Sequence, residues 1–408
     1  MAHDRAHEAF SLTPALSCWE RECNRARRET SNIQQRTSNN EHSTSNIESG
    51  SPALGFEWWR GWRSLDMKHL VTGGSGFLGN LIARRLHARG ESVRILDVWD
   101  DPTRPPGIEF VRCDIRDAAG VARAMAGVDV VHHNVALVPL TKATREFWSV
   151  NVEGARIAAE AAARAGVRTF IHMSSSAVFG APDRCPITGD TPPRPVEPYG
   201  RAKLAGELAV REVCARAGLP LIVIRPRTIL GEGRLGIFQI LFEWIAEHRR
   251  IYVIGDGNQL FQFVHAHDLM DAYLLAMDAG RPGIYNVGTD RFGTLREALE
   301  GVIAHARSRS RVVGLPAGPT IAALRLLDWL RLSPLAPWHY LTYHKAFYFD
   351  VSSLLALGWK PRYSNDEMFR ESYDWFVANR ERLARDAAAS PHRSVVKQRL
   401  LGWLKKFS

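Results

Sequence analysis

From residue 67 onward, short apolar runs alternate with longer stretches whose apolar residues recur at helical spacing. His69-Leu70-Val71 is the first run, and it ends in glycines. Residues 77–89 then read as an amphipathic helix and 92–97 (SVRILD) as a second strand. Further strand-like runs stand at 108–112, 128–133, 168–173 and 220–225, with Ala-rich helical stretches between them, clearest at 153–165 and 200–217. Apolar strands separated by helices predict an α/β fold, a doubly wound parallel sheet covered on both faces. After 225 the alternation loosens. Helical stretches at 236–249, 267–279, 294–309 and 319–331, joined by Pro- and Gly-rich loops, predict a smaller, mainly helical C-terminal part. The apolar stretch 321–332, interrupted by Arg325, Asp328 and Arg331, is too short to span a bilayer and is expected to be a packed helix.

Both ends of the chain differ from this pattern. Residues 30–51 are rich in Ser, Asn, Thr and Glu, repeat Thr-Ser-Asn three times and have no period that could bury a core. Residues 1–66 are therefore expected to be a disordered extension, or an artefact of start-site choice, since Met67 directly precedes the first strand. The expected catalytic domain is 67–385, its substrate part mostly from 228 onward. The tail, 386–408, is basic and amphipathic. Charge sharpens that division: 1–66 hold eight Arg against nine Asp/Glu, so the net +10 arises beyond residue 66. After Asp386 come Arg393, Lys397, Arg399, Lys405 and Lys406 with no acid, and apolar residues at 396, 400, 403, 404 and 407 form one helical face. Such a tail suits an anionic membrane surface, or a dock on the protein or a dimer partner. No nucleic-acid motif accompanies it, so nucleic acid is not expected as a partner. Five irregularly spaced cysteines suggest neither a disulfide framework nor zinc, and cytoplasmic residence is the expectation, with peripheral contact at the inner face of a membrane as an option.

The strongest local chemistry is Thr72-Gly73-Gly74-Ser75-Gly76-Phe77-Leu78-Gly79, after a strand and opening a helix. Gly73 can make the tight turn, Gly76 lets a pyrophosphate approach the backbone, and Gly79 allows close helix–sheet packing. The helix N-terminus adds free amides and positive dipole. Asp97 ends the next strand, where an acid can accept bonds from both ribose hydroxyls of an adenosine. Asp100 and Asp101 follow with no adjacent base, which favours NAD over NADP. Tyr199 and Lys203 stand four apart in YGRAK, hence on one helix face, where an ammonium would lower the phenol's pKa and make Tyr199 an acid/base. The Ser-rich run 174–176 offers a hydroxyl to orient substrate. His132, His133 and His172 read as sheet-edge residues rather than metal ligands, and no metal is expected. Asp268 is the expected N-cap of the helix that follows it.

The glycine run, Asp97, Asp114 in CDIRD, HHNVA, Asn151 in VNVEG, SSSAVFG, YGRAK, IRP, GDGNQLFQFVHAHD and YNVG together resemble the extended short-chain dehydrogenase/reductases of the NAD-dependent epimerase/dehydratase group, over about 67–380. The resemblance implies a Rossmann fold, bound NAD, and Tyr199 as acid/base with Lys203 on the nicotinamide ribose. It places the substrate-binding hydroxyl on Ser175. Asp114 and Ile115 would meet the adenine side, Asn134, Val135, Ala136 and Pro226 would line the cofactor along with Phe77 and Leu78, and Asn151 would support the active-site helix. A homodimer through the helices at 153–165 and 200–217 is also implied.

Departures from the pattern narrow the reaction. Dehydrating relatives carry an acidic pair directly after the catalytic hydroxyl and decarboxylating ones keep a glutamate. Here stand Ser176 and Ala177, so neither reaction is expected. Nucleotide-sugar enzymes resemble one another in an Asn after the sixth strand and an Arg before the F-V-H segment, both on the diphosphate. Thr228 and Phe261 stand at those positions, with Arg227 or Arg234 as the residues that could compensate. Phe179, Leu235, Leu260, Phe261 and Phe263 are therefore expected to form an apolar pocket. The first reading is net NAD-dependent oxidation of a secondary hydroxyl on a sterol- or isoprenoid-like skeleton, as in the 3β-hydroxysteroid dehydrogenase-like branch. The alternatives are a nucleotide-sugar epimerase with transient oxidation, and a non-catalytic NAD-binding scaffold.

Overall fold

The structure is a computed structural model that describes residues 67–138, 144–330 and 337–389. The extension 1–66 and most of the basic tail lie outside the described residues. Seven parallel strands form the central sheet: β1 (Lys68–Thr72), β2 (Ser92–Asp97), β3 (Glu109–Arg112), β4 (Val130–His133), β5 (Thr169–Met173), β6 (Leu221–Pro226) and β10 (Gly283–Val287), in the order β10-β6-β5-β4-β1-β2-β3. Alternate side chains go to opposite faces. Val71, Ile95 and Ile171 face one core, and Leu70, Leu96 and Phe170 face the other.

The helices between strands are α1 (Phe77–Ala88), α2 (Ala118–Ala124), α3 (Thr144–Trp148), α4 (Ala155–Arg164) and α5 (Pro198–Ala217). A single π-helical turn, Ser149–Gly154, joins α3 to α4. The alanines of the expected dimer helix, Ala155, Ala158, Ala159, Ala161 and Ala162, are buried within one chain. The strand order reverses between β1 and β4. Loops leaving the carboxyl ends of these two strands diverge and open a crevice there, the usual ligand position in such sheets.

The C-terminal part is helical but not wholly so. It holds α6 (Phe238–Ala246), α7 (Ala266–Ala279), α8 (Leu295–His305), α9 (Ala317–Trp329), α10 (Pro337–Thr342), α11 (Ser352–Ala356) and α12 (Asn365–Ala389). Two small parallel pairs accompany them, β7 (Thr228–Leu230) with β9 (Phe263–His265), and β8 (Ile251–Ile254) with β11 (Val312–Leu315). The expected packed helix near 321–332 is corrected: α9 has no buried residue, and Trp329 is 78% exposed. The N-cap of α7 is also corrected. His265 caps it by accepting from His267 N, while Asp268 accepts the backbone N–H groups of Arg362 and Tyr363. Asp268 thus ties the C-terminal segment to α7.

Candidate functional site

The glycine loop is built as the sequence predicts. Gly73 has φ +70°, and a Cβ there would sit 2.9 Å from Val135 N. A Cβ on Gly79 would collide with the Gly73 carbonyl. Gly76 is exposed, and α1 begins there without any side-chain cap, so its first amides are open to a ligand. The Asp97 carboxylate accepts Ser75 N at 3.1 Å and Val98 N at 2.7 Å, which fixes it against the loop. Burial pushes its pKa up, and those backbone bonds pull it down. The expected acidic surroundings of Asp97 are partly neutralised: Asp100 is paired with Arg104 at 2.8 Å.

The loop after β4 carries Asn134, Val135 and Ala136. Asn151, in the π turn, reaches across to it: its side chain accepts Leu137 N at 2.8 Å and donates to Leu137 O at 3.1 Å. A Cβ on Gly206 of α5 would collide with the Asn151 carbonyl. Asn151 therefore couples the cofactor-side loop to the helix that carries Tyr199. Asp114 is held by Arg116 in a bidentate pair, which lowers its pKa. Ile115 is buried against Gly154 rather than open to the crevice.

Helix α5 starts at Pro198 because Glu197 caps it, accepting Tyr199 N at 2.7 Å and Gly200 N at 2.5 Å. Gly200 permits close approach to Ala177 O, which a Cβ would meet at 2.5 Å. Tyr199 and Lys203 are thereby brought onto the crevice beside Ser175. Lys203 Nζ donates to the Met173 carbonyl at 2.6 Å, and burial lowers its pKa to about 8. Tyr199 departs from expectation. Burial raises its phenol pKa, Ser175 lowers it through a side-chain hydrogen bond, Glu197 raises it, and Arg234 is the cation that lowers it. The ammonium of Lys203 faces Met173 instead. Behind Ser175, Ser174 Oγ donates to Glu207 at 2.6 Å, and Glu207 pairs with Arg225. Both members of that pair are buried.

A cleft of about 530 Å³ joins these groups. Of the sequence-predicted residues it takes in Gly73, Gly76, Phe77, Leu78, Gly79, Asn134, Ala136, Ser175, Tyr199, Lys203, Pro226, Thr228 and Leu235. Asp97, Asp114, Ile115, Val135 and Asn151 stand outside its lining. The cleft has apolar residues in its wall, the expected Leu235 among them, but the membership of the apolar pocket is corrected. Phe179, Phe261 and Phe263 are core residues that do not line the cleft, and Leu260 is 41% exposed. Phe261 instead packs on Phe263, Tyr343 and Phe347. The wall sets Arg227, Arg234 and Gln239 among apolar residues, Ile229, Ile237, Phe238 and Trp375, and is closed by Trp338, His339 and Tyr343. The last three, on or just after α10, carry no motif that sequence reasoning could have found. The Arg234 guanidinium lies over the Phe77 ring at 5.8 Å and has no hydrogen-bonded or carboxylate partner among the described residues.

The histidines are also corrected. His132, His133 and His172 are not at a sheet edge but on the central strands β4 and β5, fully buried. His132 bonds His69 at 2.9 Å and Tyr273 at 2.8 Å, and His133 bonds Thr72 at 2.9 Å. Desolvation holds them neutral. Among the described residues no acidic, His or Cys cluster could hold a metal ion, and Cys113, Cys185 and Cys214 are unbridged. No helix among them is long and apolar enough to cross a membrane.

Comparison with known proteins gives the same picture. The chain is 46% identical over 336 residues to protein y4nG of Sinorhizobium fredii, covering 82% of this chain and 85% of the relative. It is 31% identical over 290 residues to a UDP-glucose 4-epimerase of Streptomyces lividans, covering 64% and 85%. The crystal structure of the Thermus thermophilus UDP-glucose 4-epimerase in complex with NAD superposes with a TM-score of 0.61 at 27% identity, covering 76% of this chain and 99% of that one. The profile of the NAD dependent epimerase/dehydratase family matches residues 69–288, across the glycine loop, Tyr199 and Lys203, and the chain belongs to that family.

Proposed function

We propose that this protein is a nucleotide-sugar 4-epimerase that uses bound NAD. The observation that carries the reading is the cleft wall: two guanidinium groups, Arg227 and Arg234, stand in an otherwise largely apolar lining. A sterol-like skeleton gives such cations nothing to pair with, whereas a nucleotide diphosphate does. Arg234, without a carboxylate partner among the described residues and beside Phe77 at the start of α1, is the candidate for the diphosphate in place of the arginine absent at Phe261.

The uncapped start of α1 and the open backbone at Gly76 fit a dinucleotide pyrophosphate, and Asp97 fits the adenosine ribose. NAD, when bound, supplies a hydride acceptor that can return the hydride. The chain's own part is to hold a hydroxyl and move a proton. Ser175 orients the substrate's C4 hydroxyl, and Tyr199 Oη takes its proton and later gives it back. Burial raises the Tyr199 phenol pKa, so its activation relies on the nearby cation Arg234 and on the Ser175 hydroxyl. Ser176 and Ala177 offer no acid to expel a neighbouring hydroxyl, which leaves oxidation and re-reduction as the net chemistry. In the test, UDP-glucose and UDP-galactose are offered to the NAD-loaded protein and the products are separated by chromatography, with Tyr199→Phe as control. Interconversion lost in the variant supports the reading. Build-up of NADH with hydrophobic secondary alcohols would instead restore net oxidation.

A further inference from the structure

Two arginines are buried on neighbouring positions of the same segment, and the fold treats them differently. Arg225 is neutralised by Glu207. Arg227 is 1% exposed and has no carboxylate partner among the described residues. Its Nε donates to Gln262 O at 3.0 Å, Nη1 to Ser176 Oγ at 3.3 Å, and Nη2 has no hydrogen-bond acceptor. The rings of Phe347 and Phe261 hold its Cζ at 3.8 and 4.7 Å. Burial lowers its pKa to about 9, so it is still a cation at neutral pH. An unpaired buried cation is costly unless an anion joins it, and Arg227 is part of the cleft wall together with Ser176 and Thr228.

Position says which anion. Ser176 follows Ser175, the hydroxyl bonded to Tyr199, so the Arg227–Ser176 corner adjoins the place where the reacting carbon is held. We infer that Arg227 and Ser176 bind a carboxylate on the sugar carbon next to the one that reacts, so that the substrate is a nucleotide hexuronate rather than a neutral nucleotide hexose. This rests on the epimerase reading. A hydroxymethyl group there could accept from Nη2 but would leave the buried cation without a counter-charge, whereas a carboxylate supplies the charge and accepts from both the guanidinium and the serine hydroxyl. The aromatic cage fixes the guanidinium in advance, so little ordering is needed on binding.

The test offers UDP-glucuronate and UDP-glucose separately to the NAD-loaded full chain and follows the C4 epimer by chromatography. Wild type is expected to favour the uronate in kcat/KM by about 100-fold, the value of one charged hydrogen bond. In Arg227→Met, whose side chain still fits between the rings, that ratio is expected to fall below roughly 5, through a rise in the uronate KM. Ser176→Ala, a smaller change if Arg227→Met fails to fold, is expected to lower the ratio about tenfold. Preference for the neutral sugar in wild type would overturn the inference and leave the epimerase reading intact. Equal losses on both sugars in Arg227→Met would assign the guanidinium to the diphosphate and also overturn it. Conversion of neither sugar would remove the epimerase reading, and this inference with it.

Discussion

Replacing Glu207 by Gln tests what holds the Ser175 strand end in place. The Glu207 carboxylate, 0% exposed, receives Arg225 Nε at 3.0 Å, Arg225 Nη2, and Ser174 Oγ at 2.6 Å. Glu207→Gln keeps the volume and removes the charge. Arg225, 3% exposed and over the Phe179 ring at 5.1 Å, is then a buried cation without a counter-ion. Breaking one side of such a pair costs about 3–5 kcal/mol. Arg211 also approaches Glu207, at 3.9 Å, but it is half exposed and adds little. For a domain of about 320 residues the loss corresponds to roughly 4–7 °C in Tm. Urea unfolding of wild type, Glu207→Gln, Arg225→Met and the double variant Glu207→Leu/Arg225→Met measures it. The double variant is expected to lose less than the two single losses combined, because the uncompensated charge is gone. A Glu207→Gln loss below about 1 kcal/mol would refute the reasoning, since the pair would then be exchanging freely with water.

Further expectations concern other links in the same structure. Gly73→Ala, at φ +70° and with its Cβ 2.9 Å from Val135 N, is expected to weaken NAD binding at least about tenfold by calorimetry, because loop and β4 end must separate. Asn151→Ala removes both bonds to Leu137 and is expected to lower turnover more than it lowers Tm; a purely thermal effect would deny its coupling role. Stability is expected to fall as pH drops from about 6.5 toward 4, because unfolded histidines take up protons there. Folded His69 and His265 resist protonation down to about 4, and His133 to about 3. The slope is about 1.4 kcal/mol per pH unit for each such histidine, and a flat urea-midpoint profile across that range would contradict it. Asp97→Ala is expected to loosen the preference for NAD over NADP, and an unchanged preference would remove Asp97 from the ribose role.

The parts of this molecule that can be read from sequence are those whose chemistry is local. The glycine loop, Asp97 at its strand end and the Tyr199–Lys203 spacing each need only a few residues in fixed order; the structure brings the loop, Tyr199 and Lys203 to one crevice and ties Asp97 to the loop through Ser75 N. Strands β1 to β6 were legible because each carries consecutive apolar residues and helical stretches separate most of them; β7, β8, β9 and β11, three or four residues each, lie where that alternation is lost. What the sequence hid depends on tertiary neighbours. Phe261 looked like a pocket residue, yet it belongs to the aromatic core that cages Arg227. The partner of Tyr199 was expected four residues along its helix, but the cation that lowers its pKa, Arg234, comes from a distant loop. Helix α9 has an apolar composition typical of packing and nevertheless buries none of its residues.

Fate of a deuterium label tests the central claim most directly. A UDP-hexuronate or UDP-hexose carrying deuterium at C4 would be incubated with the NAD-loaded protein, and the product examined by NMR and mass spectrometry. The account predicts the C4 epimer with the label still on C4, no accumulation of NADH, and loss of conversion in Tyr199→Phe by about 10³-fold. Net transfer of the label into NADH with a ketone product left behind would contradict it and identify a dehydrogenase.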